Sequence, residues 1–192
     1  MAFNAKSEPE TCEIGAVSQS AKAKTAPLTF DRQLFSCSLT TPECPLTTPF
    51  PLSSFDPNAV RQNLSLQVTP EIGAFVERME AKVLAAATRD SARIFGREMT
   101  AESVKAAFCS CLKAGGGPTL LRCKINTEAS ARPCLCWDKE GQQRALPEDI
   151  RGWGMVPKVN LQSLWLNAGR IGCIWEVTDL LVERMALKSP WA

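Results

Sequence analysis

The chain has 192 residues, 45% of them hydrophobic and 22% charged, which fits one globular domain with a tail or two small domains. Its 22 Lys and Arg against 20 Asp and Glu leave a formal charge of +2, which excludes binding through bulk positive charge alone. Histidine is absent, which removes Ser-His-Asp and Cys-His catalysis, His-ligated zinc and a histidine proton switch; with no tyrosine, aromatic contacts fall to 5 Trp and 8 Phe.

Met1 to about Ala26 is rich in Ser, Ala, Lys and Glu without an apolar period, and reads as a mobile arm. Leu28 to Thr40 reads as a strand. Pro42, Pro45, Pro49, Pro51 and Pro57 then forbid helix and a central strand, leaving an extended, stiff loop with edge pairing as its only regular option. Arg61 to Val68 alternates, with Leu64, Leu66 and Val68 on one parity. Thr69-Pro70-Glu71 supplies an N-cap, a first-turn proline and a carboxylate at the positive helix end. Ile72, Phe75, Val76, Met79, Val83 and Ala86 follow at helical spacing. A second helix is expected from Thr100, burying Val104, Ala107, Phe108, Cys111 and Leu112 and stopping at Gly115-Gly116-Gly117-Pro118.

The remainder reads as strands. Leu121, Cys123 and Ile125 alternate with Arg122 and Lys124, and Leu135 and Trp137 alternate with Cys134 and Cys136 before a turn at Asp138 to Gly141. Val159, Leu161 and Trp165 share a parity opposite Lys158, Asn160 and Gln162; after the turn Asn167-Ala168-Gly169 come Ile171, Cys173, Trp175 and Val177. Short alternating strands around a helical pair predict a β-rich α+β fold, a small β-barrel with an inserted pair of α-helices, rather than a parallel α/β sheet.

Nine cysteines in no disulfide-type spacing, and a start without the apolar stretch of a signal peptide, point to free thiols in a reducing, intracellular compartment. Glu8, Glu10 and Glu13 argue against a transit peptide, and no apolar run approaches the ~18 residues that span a bilayer, so no membrane association is expected. Cys109-Ser-Cys111 and Cys134-Leu-Cys136 raise the possibility of a four-thiolate zinc site. One intervening residue is too few for the usual zinc loops, and on a helix Cys109 and Cys111 would lie about 200° apart. Cys134 and Cys136 share a strand face, which leaves metal binding there open; otherwise the cysteines are small packing residues, and no metal or cofactor is expected. Cys123, between Arg122 and Lys124, is the one local candidate for a perturbed thiolate, but its parity puts it indoors. The glycine run follows a helix instead of opening one, so it is a terminator rather than a phosphate cradle. Glu148-Asp149 is expected to start a short helical turn and is weak ground for acid–base chemistry.

Strand parity is more informative. If Leu121, Cys123 and Ile125 face a core, Arg122 and Lys124 face out, and so do Lys158, Asn160 and Gln162. Outward cations and amides on neighbouring strands can follow a phosphate backbone while aromatics stack on bases. The competing reading is an ordinary solvated strand face. Trp165 and Trp175 have core parity and are assigned to packing. Trp153, between Gly152 and Gly154, is expected to be exposed, and Trp137 at a strand end is open to either role.

The order of segments carries a resemblance. Leu39-Thr-Thr-Pro42 is followed by Pro49 to Phe55, Arg61 to Val68, the Thr69-Pro70 helix, Ile94-Phe-Gly96, Leu121 to Ile125, the Trp137 to Gly141 hairpin and Pro157 to Val177. Over about residues 34–182 this resembles the single-stranded DNA-binding proteins of large eukaryotic DNA viruses, including the algal-virus type. These are similar in turn to the OB-fold single-stranded DNA-binding proteins of small-tailed phages. The closing Trp165-x₃-Gly169-x-x-Gly172-x-x-Trp175 stretch is its most specific part.

The resemblance implies an OB-like domain over 27–184 with a helical insertion about 70–113, flanked by the arm 1–26 and a tail 185–192. It implies non-catalytic binding of single-stranded nucleic acid, DNA before RNA, with little sequence preference, in replication, repair or recombination. The implied contacts are Arg122, Lys124, Trp137, Lys158, Asn160 and Arg170, to which exposure adds Trp153. Proteins of this pattern are expected in algal nuclei, so the nucleus is the expected compartment ahead of the cytoplasm. Two departures stand out: Ala21 to Phe30 offers only Lys22 and Lys24 where the family has a basic, glycine-rich strand, and the end carries Trp191 without an acidic run. A structural subunit gripping protein partners through the arm or the Pro42–Pro57 loop is the alternative. An enzyme is the weakest reading.

Overall fold

The computed structural model describes residues 8–19, 24–54, 59–114, 117–127 and 130–184. In chain order the first elements are β1 (Cys12–Ile14), β2 (Ser18–Gln19), β3 (Lys24–Phe30), β4 (Phe35–Ser38) and β5 (Arg61–Gln67). Three helices follow, α1 (Pro70–Arg89), α2 (Ser91–Phe95) and α3 (Ala101–Ala107). The chain then returns to β6 (Phe108–Cys109), β7 (Leu112–Lys113), β8 (Leu120–Asn126), β9 (Leu135–Trp137), β10 (Gln143–Arg144), β11 (Trp153–Asn167) and β12 (Arg170–Arg184).

The β11–β12 hairpin is the spine. Ala168 and Gly169 both have positive φ, 46° and 75°, as a two-residue turn between right-twisted strands requires. β11 pairs β3 and β4 along its other edge, while β12 pairs β6, β8 and β9 in parallel and β8 pairs β5. The sheet is therefore mixed. Its hydrogen-bonded path runs β1-β3-β11-β12-β8-β5 and does not return on itself, so the expected closed barrel is an open, coiled sheet among the described residues.

One face of this sheet is apolar and packs against α1. Leu64, Leu66, Leu121, Ile125, Val159, Leu161, Leu164 and Trp175 are fully buried, as are Val76, Met79 and Val83 of the helix. Each such side chain contributes roughly 1.5–3 kcal/mol of transfer free energy. Trp175 meets Phe35 edge-on at 6.4 Å and Phe75 at 6.3 Å. α1 forms for the local reasons its sequence suggests: the Thr69 hydroxyl accepts from the Ile72 N–H at 3.4 Å and Pro70 opens the first turn.

Four expectations are revised. The arm foreseen over residues 1–26 contains β1, β2 and the start of β3; Cys12 and Ile14 are buried, and Arg93 donates to the carbonyls of Ile14 and Gly15 at 2.6 Å. Residues 1–7, 20–23 and the foreseen tail 185–192 lie outside the described residues. The strand foreseen from Leu28 to Thr40 is broken at Asp31 and Arg32, with φ of 48° and 66°, into β3 and β4. The second long helix is only α3, because Phe108 and Cys109 are recruited as a parallel strand by Ile171 and Gly172 of β12, and Leu112 and Lys113 by β8. Glu148-Asp149 starts no helix; Asp149 instead accepts from Arg151, at 2.7 Å to the guanidinium, which holds its carboxyl down at about 2.

Candidate nucleic-acid interface

The outer face of the sheet carries a cross-strand row of polar residues. Ser36, Asn160, Glu176, Lys124, Asn63 and Ser53 stand opposite one another in successive pairs, on β4, β11, β12, β8, β5 and the proline-rich segment. They share a face because each strand alternates and each register aligns its outward set. Arg61, two residues from Asn63 on the same face, reaches across β8: its guanidinium pairs with the Glu176 carboxylate and donates to Gln162 Oε1 at 3.0 Å. Asn126 donates to the other Glu176 oxygen at 3.4 Å.

Beside this row lies a groove of about 570 Å³ lined by Asn63, Lys113, Arg122, Lys124, Trp165 and Asn167, floored by Cys109, Cys111 and Cys173. Lys113 and Arg122 are exposed. Lys124 is half-buried and its ammonium donates to Asn63 Oδ1 at 2.6 Å, a neutral partner. Desolvation, reinforced by Arg61 and Arg122, holds the Lys124 ammonium below the usual lysine range. An arriving anion would relieve that cost directly.

Trp165 was expected in the core and is not. The register shift between Leu161 and Ser163 inserts Gln162 as an extra residue, so parity reverses: Leu164 and Leu166 turn inward and Trp165 turns to the groove. Its cross-strand partner is Gly172, where a Cβ would sit 2.7 Å from Trp165 Nε1 and 2.8 Å from the Cys109 carbonyl. The missing side chain lets the indole lie close over β12. The Trp-x₃-Gly-x-x-Gly spacing held this signal, but a bulge cannot be read from alternation. Trp175, by contrast, is fully buried as expected, and its indole N–H has no acceptor among the described residues.

Of the residues expected to bind, Arg122 and Lys124 line the groove, and Asn160 stands in the Lys124 row. Arg170 is exposed at the β11–β12 turn, paired with the groove residue Asn167. Lys158 is exposed further along β11, 3.9 Å from Asp179, which also accepts from Trp137 Nε1 at 3.3 Å. Lys158 of β11 and Trp137 of β9 form a second cluster around Asp179 of β12 rather than part of the groove. Trp153 is half-buried against the core at the far start of β11, its ring under the Arg144 guanidinium at 5.0 Å, so the expected exposed loop position is a packed strand end. Asn63, Lys113 and Trp165 are the groove residues that parity and motif reading passed over, as they did Arg61 in the adjoining row.

Cys111, Cys123 and Cys173 are not activated thiols. Burial pushes Cys111 up to about 12 and Cys123 and Cys173 well above the thiol range. Cys109 and Cys111 flank a bend rather than sharing a helix, and no group of three metal-ligating side chains is present among the described residues.

No family model matches the chain, and no curated protein matches its sequence. Among solved structures it is similar to gp2.5, a single-stranded DNA-binding protein encoded by bacteriophage T7, with a TM-score of 0.50 and 13% identity over 83% of this chain and 94% of that one. The single-stranded DNA-binding protein of bacteriophage Enc34 gives a TM-score of 0.49 and 10% identity over 93% of each chain. The same Enc34 protein in complex with single-stranded DNA gives 0.45 and 12% identity over 90% of this chain and 96% of that one. The likeness to the T7 protein is one of fold.

Proposed function

We propose that the protein binds single-stranded DNA, without catalysis and with little sequence preference, in replication, repair or recombination. The observation that carries this reading is the groove itself. Lys113, Arg122 and the half-desolvated Lys124 face Trp165 across one cleft, which pairs a track for phosphates with a platform for bases. The T7 protein of similar fold is described as a single-stranded DNA-binding protein, which supports the same reading. In this reading the open sheet is an OB-like domain, and the Trp165-to-Trp175 pattern supports a likeness to the algal-virus type. Nine free thiols suit a reducing compartment, for which we propose the nucleus.

Lys113, Arg122, Lys124 and Arg170 enter no ion pair among the described residues and are the phosphate contacts. Four such contacts give a log–log salt slope of about −3 for a single strand. Titration with oligo-dT should therefore quench tryptophan emission and weaken with that slope. Trp165→Ala should lose about 1–3 kcal/mol of binding and most of the quench. Absence of binding by the wild type at low salt and micromolar protein overturns the proposal and favours the protein-interaction alternative.

A further inference from the structure

Phe50 is 52% exposed, and it stands between Pro49 and Pro51 in the segment that edges β5. That segment pairs with β5 at two points, Thr47 with Gln67 and Ser53 with Asn63. Between those points five residues, 48–52, face only three, 64–66, on β5. The excess has to buckle, and it buckles at the two prolines, which have no N–H to offer the sheet. The tip is nonetheless fixed. The buried Thr48 hydroxyl accepts from the Phe50 N–H at 3.2 Å and donates to the Phe50 carbonyl at 3.0 Å. A large apolar ring is thus held in water on a pinned backbone, where burial would have been favourable.

The position of this tip relates it to the groove. Ser65, midway between the two anchor points, stands opposite Arg122, and Asn63 at the lower anchor both lines the groove and binds Lys124. Crossing from Trp165 towards Phe50, Gly172 of β12 comes first, then Cys109 of β6; Lys113 of β7 borders Leu120 of β8, and β5 and the Phe50 segment follow. The cations Lys113, Arg122 and Lys124 lie between the two aromatic residues. On the reading of the groove as a single-stranded DNA site, we propose that Phe50 is a second base-stacking platform at its β5 rim, so that a bound strand is held by an aromatic residue at each side of a basic track. Continuity with the groove and the cations between favour this occupant. Stacking on a fixed ring also loses little conformational entropy.

The test uses the full chain and two oligo-dT lengths, about 4 and about 15 nucleotides, near the limits of site size for such folds. The short oligonucleotide is satisfied by the cleft at Trp165; the long one reaches the rim. Phe50→Ala should weaken the long oligonucleotide by about 5- to 100-fold and the short one by less than about twofold. Phe50→Trp should keep wild-type affinity and add a quench seen only with the long oligonucleotide. Equal affinity of Phe50→Ala for the long oligonucleotide overturns the proposal, as does an equal loss at both lengths. A change in sedimentation of Phe50→Ala without a change in DNA binding also overturns it, and assigns the ring to contact with a second copy of the chain. If the wild type binds neither length, the groove reading itself fails and takes this proposal with it.

Discussion

Glu176 sets the charge balance of the groove wall. Its carboxylate stands at the centre of the polar row, its side chain 13% exposed, between Arg61 from one strand and Asn126 from another. It occupies the place among these donors that a phosphate oxygen would take, and it withholds Arg61 from any incoming strand. Glu176→Gln keeps an acceptor for Arg61 and Asn126 while removing one negative charge from the path of a polyanion. Binding to oligo-dT should tighten by about 3- to 10-fold, with a salt slope steeper by about one as Arg61 becomes a phosphate contact. Unchanged affinity and slope would mean that the bound strand stays clear of the Arg61–Glu176 pair.

Helix α1 contributes more than a core face. Glu80, on its inner side and 5% exposed, accepts from the Cys111 N–H at 2.7 Å and so anchors the bend between β6 and β7 beneath the groove. Desolvation raises the Glu80 carboxyl above its ordinary value of 4.5, against the lowering effect of the bonds from Cys111 and Ser110. An acid whose folded pKa exceeds its unfolded one binds more protons when folded, so its contribution to stability falls as pH rises between the two values. The stability of the wild type relative to Glu80→Gln should therefore decline as pH is raised from 4.5 through the raised value and then level off, read by urea unfolding at stepped pH. Glu80→Ala, which leaves the Cys111 N–H without its partner, should cost about 1–3 kcal/mol at acid pH, and less once the pH passes the raised value. A flat difference between wild type and Glu80→Gln would show that the carboxyl is not held up by burial.

At the scale of the whole molecule, the hairpin strands are flanked on both edges: β12 by β11 on one side and by β6, β8 and β9 on the other, and β11 by β12 and by β3 and β4. The amides of β12 are shielded by partners drawn from distant parts of the chain, while among the described residues β1 and β2 pair with β3 near the start. Exchange from β12 should need global opening, whereas β1 and β2 should exchange through local fraying. Hydrogen–deuterium exchange by mass spectrometry should place the 171–182 amides among the slowest and those of 12–19 among the fastest strand amides. The reverse order would mean that the hairpin is not the spine. Bound oligo-dT should slow exchange in β8 and the 47–53 segment ahead of β1.

Local physics was readable in the sequence where it was also decisive. The α1 cap, its apolar stripe, the β5 and β8 alternations and the turn at Ala168-Gly169 depend on neighbours a few residues away, and each appears where its residues predict it. The outward cations Arg122 and Lys124 follow from that same alternation. What the chain could not disclose alone was which distant strand would claim a segment. β12 draws Phe108-Cys109 out of a helical pattern, and the arm gains strands through β3. Trp165 is the clearest case: the alternation from Val159 and Leu161 places it inside, and one bulged Gln162 turns it outward. A bulge depends on how two strands twist past each other, and Gly172 admits the indole only because the fold brings it there. Parity marked the cations of this surface; pairing between remote strands decided which aromatic residues stand beside them.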